Sequence, residues 1–266
     1  MFFKNNVFII VALVLLVVGG TILMFNTGDQ FEKNAKKKVI DDQSFTNIEI
    51  LTTNAAVEIV PTKDTVTTVS YSGKTKKRSK FIFEAVVKEN TLSVQFKEKR
   101  RSFMNFGFSS FNLKLVVKVP EKQFDRIQVE SDNGRIKVEN IQTNELALET
   151  DNGAIELTRI DATAINVKTD NGAIILDHVD GTIIGRTDNG RISLVTNNLD
   201  RPIELTTDNG RIEIQTEKEP TNATIDVKTD NGRIDVFGYE NKHTKFGNGE
   251  HLIKLRTDNG RITITK

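Results

Sequence analysis

From Val39 onward, apolar and polar residues alternate with a period of two, and the same short polar stretch interrupts them at regular intervals. Ile165, Val167 and Thr169 alternate with polar residues, and Ile174 and Leu176 resume the pattern after the interruption. This periodicity predicts half-buried strands, not helices. The interruption reads Thr-Asp-Asn-Gly-Arg-Ile at Thr187, Thr207, Thr229 and Thr257, and Thr-Asp-Asn-Gly-Ala-Ile at Thr150 and Thr169. A further copy opens with Ser131. The Asp-Asn-Gly cores are Asp132-Asn133-Gly134, Asp151-Asn152-Gly153, Asp170-Asn171-Gly172, Asp188-Asn189-Gly190, Asp208-Asn209-Gly210, Asp230-Asn231-Gly232 and Asp258-Asn259-Gly260. A period of about twenty residues marks a repeat architecture.

Asn-Gly between two alternating runs predicts a tight bend, since both residues tolerate positive φ. Each unit is then strand, bend, strand and a looser return through segments such as His178 to Gly181. One unit cannot bury its apolar side alone, but units stacked about 4.8 Å apart share one core and one set of backbone ladders. The expected fold is all-β: a single-stranded, β-helix-like solenoid of about seven or eight rungs with an N-terminal β cap, preceded by one transmembrane helix. A meander of hairpins is the competing fold, and it does not require one motif at one phase. Stacking would line up the motif asparagines so that their amides bond along the column. The glycines would supply backbone freedom for the bend. The aspartates would repel one another, and Arg135, Arg191, Arg211, Arg233 and Arg261 would compensate them, except where Ala154 and Ala173 stand instead.

The chain divides into four parts. Residues 1–25 hold an N-terminal tail and the uncharged run from Val7 to Phe25, long enough to span a bilayer as an uncleaved anchor. A cleaved signal peptide is the alternative. Residues 26–38 read as a polar basic linker, with Lys33, Lys36, Lys37 and Lys38 either solvated or touching anionic lipid. Counting nearby lysines puts the C-terminal side inside. A large β domain behind a single anchor favours export, and the expected placement is a single-pass cell-membrane protein with its C-terminal domain outside. Residues 39–128 form an N-terminal β region with strand candidates at 65–71, 81–87, 91–97 and 112–119. Thr53-Asn54-Ala55-Ala56-Val57 reads there as a degenerate first rung. Residues 129–266 hold the repeats. Within the β region, Lys97 to Arg101 and the phenylalanines after it suggest a long hairpin tip. Arg100, Arg101, Phe103, Phe106, Phe108 and Phe111 are candidate contacts for a membrane or partner, with packing onto the cap as the structural alternative.

Composition narrows the chemistry. The absence of cysteine excludes disulfides, thiolate catalysis, cysteine zinc sites and an acylated-cysteine anchor. A net charge of +1 gives no global attraction for nucleic acid, which is not expected as a partner. Repeated Asp-Asn-Gly invites a calcium reading, but the EF-hand and G-G-x-G-x-D spacings are missing, and arginine follows in five copies. No cofactor or metal is expected. Glycoside hydrolysis needs two carboxylates in unlike surroundings, whereas these recur identically, so no catalytic residue is assigned.

The repeated Thr-Asp-Asn-Gly-Arg-Ile, the β cap and the N-terminal span resemble the bacterial putative-adhesin family of unknown function, and within it the membrane-anchored LiaG-like proteins of Gram-positive bacteria. The resemblance covers about residues 39–266. It implies a membrane-tethered β-solenoid, sometimes encoded with cell-envelope stress systems, and supplies no catalytic residues. The expected role is a non-enzymatic cell-envelope protein whose solenoid is a binding or scaffolding surface for an envelope protein or glycan, as an accessory of a stress response. The alternatives are a surface adhesin binding glycan or protein, and a carbohydrate-active enzyme on a β-helix.

Overall fold

The computed structural model describes residues 31–76, 79–99 and 113–266, and every regular element among them is a strand. The anchor expected over residues 1–25 lies outside them. The N-terminal strands are β1 (Phe31–Ile40), β2 (Asn47–Thr52), β3 (Ala55–Thr62), β4 (Thr67–Lys76), β5 (Phe81–Lys88), β6 (Thr91–Glu98) and β7 (Leu113–Pro120). The linker expected over 26–38 is thus strand from Phe31, because β1 finds an antiparallel partner in β4. The repeats form β8 (Gln123–Ser131), β9 (Ile136–Thr150), β10 (Ile155–Thr169), β11 (Ile174–Thr187), β12 (Ile192–Thr196), β13 (Ile203–Asn209) and β14 (Ile212–Thr216). Then come β15 (Ala223–Asn231), β16 (Ile234–Val236), β17 (His243–Lys245), β18 (His251–Asn259) and β19 (Ile262–Thr265).

The repeats stack as parallel coils, like residue on like residue. Ile136, Ile155, Ile174 and Ile192 follow one another in register, as do Leu146, Ile165, Ile183 and Ile203. Each long strand is several straight pieces: in β10, residues 155–158, 160–162 and 164–169 each pair with their equivalents in β9. The degenerate copy at Thr53 occupies the level between β6/β7 and β8/β9, with β2 and β3 paired in parallel on both sides. Alternate residues point inward and are almost completely buried: Ile155, Leu157, Ile165 and Val167 are 0–1% exposed, and their neighbours along the stack match them. Burial of this kind contributes about 25 cal/mol per Å² of apolar surface, and it fixes register, because a one-residue slip would turn every aliphatic outward.

Both ends of the stack depart from a simple series. At the first end, β5 and β4 turn antiparallel to β6 and β7 and, with β1, form a cap. Tyr71, Phe81, Phe83 and Phe96 cluster beneath it, with centroid separations of 4.6–6.2 Å. At the other end the chain does not stack in sequence order. The C-terminal coil, β18 and β19, lies directly on β13 and β14, and the earlier coil, β15 and β16, lies outside it. The 28-residue interval between Asp230 and Asp258 provides the detour. Its strand β17 runs antiparallel along the outer edge of β15. Phe237 and Phe246 meet edge to face at 6.1 Å and pack on the core at that end.

Candidate functional site

The seven motif copies form one corner running the length of the stack. Asn133 Nδ2 donates to Asn54 Oδ1 at 3.0 Å, Asn152 to Asn133 at 2.9 Å, Asn171 to Asn152 at 3.0 Å and Asn189 to Asn171 at 3.0 Å. The ladder continues from Asn209 to Asn189, from Asn259 to Asn209 and from Asn231 to Asn259. It therefore follows the spatial order of the coils, not the order of the chain. The backbone ladder also runs through the bend, as Asn152 N–H donates to Asp132 O at 2.9 Å and Asn209 N–H to Asp188 O at 2.8 Å.

The motif threonines, which the hydropathy pattern marks only as strand residues, have a definite task. Thr169 Oγ1 donates to Gly153 O at 2.9 Å, Thr187 to Gly172 O and Thr207 to Gly190 O at 3.0 Å each. These threonines are buried, so each hydroxyl, shut away from water, finds its partner in a backbone carbonyl of the adjoining level. The signal was present in the sequence as a hydroxyl residue opening every copy at an inward phase. Near the first end the equivalent hydroxyls of Thr52 and Ser131 are buried without a partner.

Two expectations for the corner are corrected. None of the motif asparagines or glycines has positive φ. Glycine is required instead because the coils touch. A Cβ built on Gly153 would lie 2.1 Å from Gly134 O, and one on Gly210 1.8 Å from Gly190 O. Left-handed residues recur instead at the looser return, where Asn140, Arg159 and His178 stack with φ of 51–53°. The second correction concerns charge. Among the described residues no motif arginine lies within ion-pair distance of a motif aspartate. Arg135 and Arg211 approach Glu156 and Glu213, at 3.5 and 3.0 Å. Arg186, outside the motif, reaches Asp188 at 3.5 Å and Asp208 at 4.0 Å, and Lys228 reaches Asp230 at 3.3 Å. The sheet geometry explains this: residues two apart on one strand share a face, whereas the bend separates Asp from the Arg three residues on.

Away from the corner, a cleft of about 400 Å³ opens beside the cap, lined by Pro61, Pro120, Lys122, Asn140, Arg159 and Asp161. Its cations are already engaged. Lys122 Nζ donates to Gln43 O at 2.9 Å and to Phe45 O and lies 4.4 Å from the Phe45 ring centroid. Burial pushes its pKa down, against the opposing pull of Asp42. Arg159 Nε donates to Asn140 Oδ1 at 2.6 Å. Further along, Arg201 is a structural cation, donating to Val179 O at 2.7 Å and Thr196 Oγ1 at 2.8 Å, with Asp180 at 3.6 Å. Asp200 ties connecting loops together, accepting from Thr221 N–H, Thr221 Oγ1 and Asn222 N–H at 2.8 Å each. Burial raises its pKa, but the bonds from Asn222 and Thr221 outweigh this, and the net shift is downward. Asp200 and Arg201 occur once each and carry no repeat signal.

The outer faces of the coils carry alternating polar side chains. Among the described residues the large exposed apolar ones, Val39, Val86, Ile184, Tyr239 and Leu252, are scattered along the sequence. Among the described residues, no group of three or more His, Asp or Glu is placed to hold a metal ion. The candidate tip residues Arg100, Arg101, Phe103, Phe106, Phe108 and Phe111 lie outside the described residues.

The family model described as Toastrack DUF4097 matches residues 45–265. No curated protein matches the chain. Among solved structures, a "putative adhesin" from Bacteroides fragilis NCTC 9343 has a TM-score of 0.51 at 15% identity, covering 89% of this chain and 100% of that one. A "putative cell adhesion protein" from Clostridium sporogenes ATCC 15579 has a TM-score of 0.41 at 10% identity, covering 88% and 99%. A "putative lipid binding protein" from Parabacteroides distasonis ATCC 8503 has a TM-score of 0.38 at 13% identity, covering 88% and 97%. The match from Phe45 to Thr265 takes in the whole stack of coils, and the chain belongs to the Toastrack DUF4097 family.

Proposed function

We propose that the protein is a non-enzymatic, LiaG-like β-solenoid tethered to the cell membrane by its N-terminal segment, displaying its stack outside as a binding or scaffolding surface and serving an envelope stress response. One observation carries the reading. The repeated Thr, Asn and Gly are occupied inside the corner, by Thr-to-carbonyl bonds, the amide ladder and close backbone contact. What the repeats leave for a partner is the outer faces, where polar side chains recur at each level. Binding through such a surface is spread over many weak contacts and needs no pocket.

The surface-adhesin alternative shares this geometry and differs in its partner. A glycan adhesin would be favoured by aromatic side chains on an outer face, whereas exposed Tyr239 sits in the detour after β16. A carbohydrate-active enzyme needs two converging acids; the stacked pair Asp161 and Asp180 sits on successive levels, with Arg201 3.6 Å from Asp180.

Protease treatment of intact cells tests the placement. The stack should be digested, or shielded only by its partner, without permeabilisation; cleavage only after permeabilisation would refute it. In pull-downs from envelope fractions, charge reversal across one whole face should remove the bound partner, while any single reversal has a small effect. A single residue that abolishes binding would argue for a discrete site.

A further inference from the structure

The near-zero net charge conceals a steep asymmetry. Residues 1–122 contain 19 Lys and Arg against 11 Asp and Glu, and residues 123–266 contain 18 against 25. The boundary falls between β7 and β8, where the cap and first coils give way to the repeats. Part of the basic excess lies on one surface. In the antiparallel ladder, directly opposed residues share a face, and Lys33 opposes Lys74 while Lys37 opposes Ser70. Thr68 opposes Lys118, and Ser72 opposes Lys114. The inward side of β4 and β7 is taken by Val69, Tyr71, Leu115 and Val117, so these lysines share the outer side and are exposed. Lys114 is engaged by Glu58. Lys33, Lys37, Lys74 and Lys118 have no carboxylate within ion-pair distance among the described residues.

Lysines on an edge strand such as β1 deter strand-to-strand aggregation. That does not account for Lys74 or Lys118, since β4 and β7 are each paired on both sides. Opposing Lys33 and Lys74 directly also costs stability, because like charges face each other. A dense anionic surface would reverse that cost. Such a surface is close at hand if the apolar run ending at Phe25 is the membrane tether proposed above. The five residues before Phe31 reach about 18 Å at most, which keeps the cap beside the headgroups.

We propose that the outer β1–β4–β7 face, through Lys33, Lys37, Lys74 and Lys118, docks on anionic lipid headgroups. The acidic repeats are repelled by the same surface, so the stack projects away from the membrane. Each lysine near such a surface strengthens docking about five-fold at physiological salt, within a Debye length of about 8 Å.

The chain lacks cysteine, so a single introduced thiol labels one site. The full chain is placed in nanodiscs of phosphatidylcholine alone or with phosphatidylglycerol, and a fluorophore is attached at Ser72→Cys, between the lysines, or at Tyr239→Cys, at the far end. Nitroxide-bearing headgroups report contact by quenching. Strong quenching at position 72 in the anionic discs alone is expected. It should fall with added salt and on combining Lys33→Gln, Lys74→Gln and Lys118→Gln, with a melting point no lower than wild type because the Lys33–Lys74 repulsion is relieved, while position 239 stays unquenched. Equal quenching in both lipids, or none lost in the triple variant, overturns docking. A chain that does not co-purify with discs overturns the tether instead. Co-sedimentation with anionic vesicles then decides the patch: the triple variant should lose binding, and equal binding would overturn it.

Discussion

Replacing Gly190 with alanine asks why glycine stands at each repeated corner. A Cβ on Gly190 would lie 1.9 Å from Gly172 O on the adjoining level and 3.1 Å from Thr187 Oγ1. Carbon and oxygen need roughly 3 Å, so the two coils must separate by about 1 Å at this point. That movement breaks or stretches the Thr187–Gly172 and Asn189–Asn171 bonds, both 3.0 Å. It does the same to the backbone bond from Asn189 N–H to Asp170 O at 2.9 Å. Each contributes about 1 kcal/mol net, and overpacking strain adds about 1–3 kcal/mol. The expected loss is about 4–6 kcal/mol, or roughly 10–20 °C in melting midpoint for a domain of this size. Gly190→Val should lose at least as much. Asp188→Ala is the control: its pairing with Arg186 at 3.5 Å is half exposed and contributes at most about 1 kcal/mol. Gly190→Asn separates close contact from backbone conformation, since asparagine accepts positive φ readily but brings the same Cβ. Circular-dichroism melts of the purified full chain in detergent would measure all four. An alanine variant within about 1 kcal/mol of wild type, or an asparagine variant much milder than alanine, would refute close stacking as the cause.

The remaining predictions concern the ladder, a loop anchor and the coil order. Asn171 donates to Asn152 and accepts from Asn189, and Asn171→Asp cannot donate while ionised. It should cost about 1–2 kcal/mol at pH 7, with part recovered below about pH 4 as the carboxyl is protonated; urea melts at both pH values would show it. Because Asp200 has a lowered folded pKa, its carboxylate stabilises the fold above the unfolded value of 3.8 and loses that contribution as pH falls through the folded pKa. The stability gap between wild type and Asp200→Asn should therefore be constant near neutrality and close below pH 3.8; a gap that widens in acid would reverse the assignment. Truncation after Glu250 removes β18 and β19 from inside the stack, so hydrogen exchange should show residues 223–236 losing protection although they remain in the chain. Retained protection would mean that β15 and β16 can dock directly on β13 and β14.

What the sequence made legible is what a strand reports through its own period. Alternation marks the inward aliphatics, and the phase of Asn133, Asn152 and Asn171 predicts that their amides stack, because both follow from residues recurring at one height in each coil. The role of glycine was misassigned because two causes select the same residue: positive φ and close approach both exclude a side chain. The φ of the motif glycines, none of them positive, and the position of Gly172 O beneath Gly190 tell them apart. The partner of each aspartate was misassigned because spacing along the chain says little about neighbours across a bend. Arg186, two residues before Asp188, reaches it on the same side of the strand, whereas Arg191, three residues after it, lies beyond the corner. Coil order was hidden for a stronger reason. Two coils bearing the same Thr-Asp-Asn-Gly-Arg-Ile fit one another in either sequence, so the motif cannot specify which is outermost. The ends of the chain can. Val227 and Ile234 need a cover at the terminal level, and the residues that pack there, Phe237 and Phe246, immediately follow β16 and precede β18. The detour that carries them must cross the outer end before the chain returns, and the returning strand enters where Leu205 and Val227 each face Leu255. A repeat chain thus encodes its interior in the motif and its termination in the residues that break the motif.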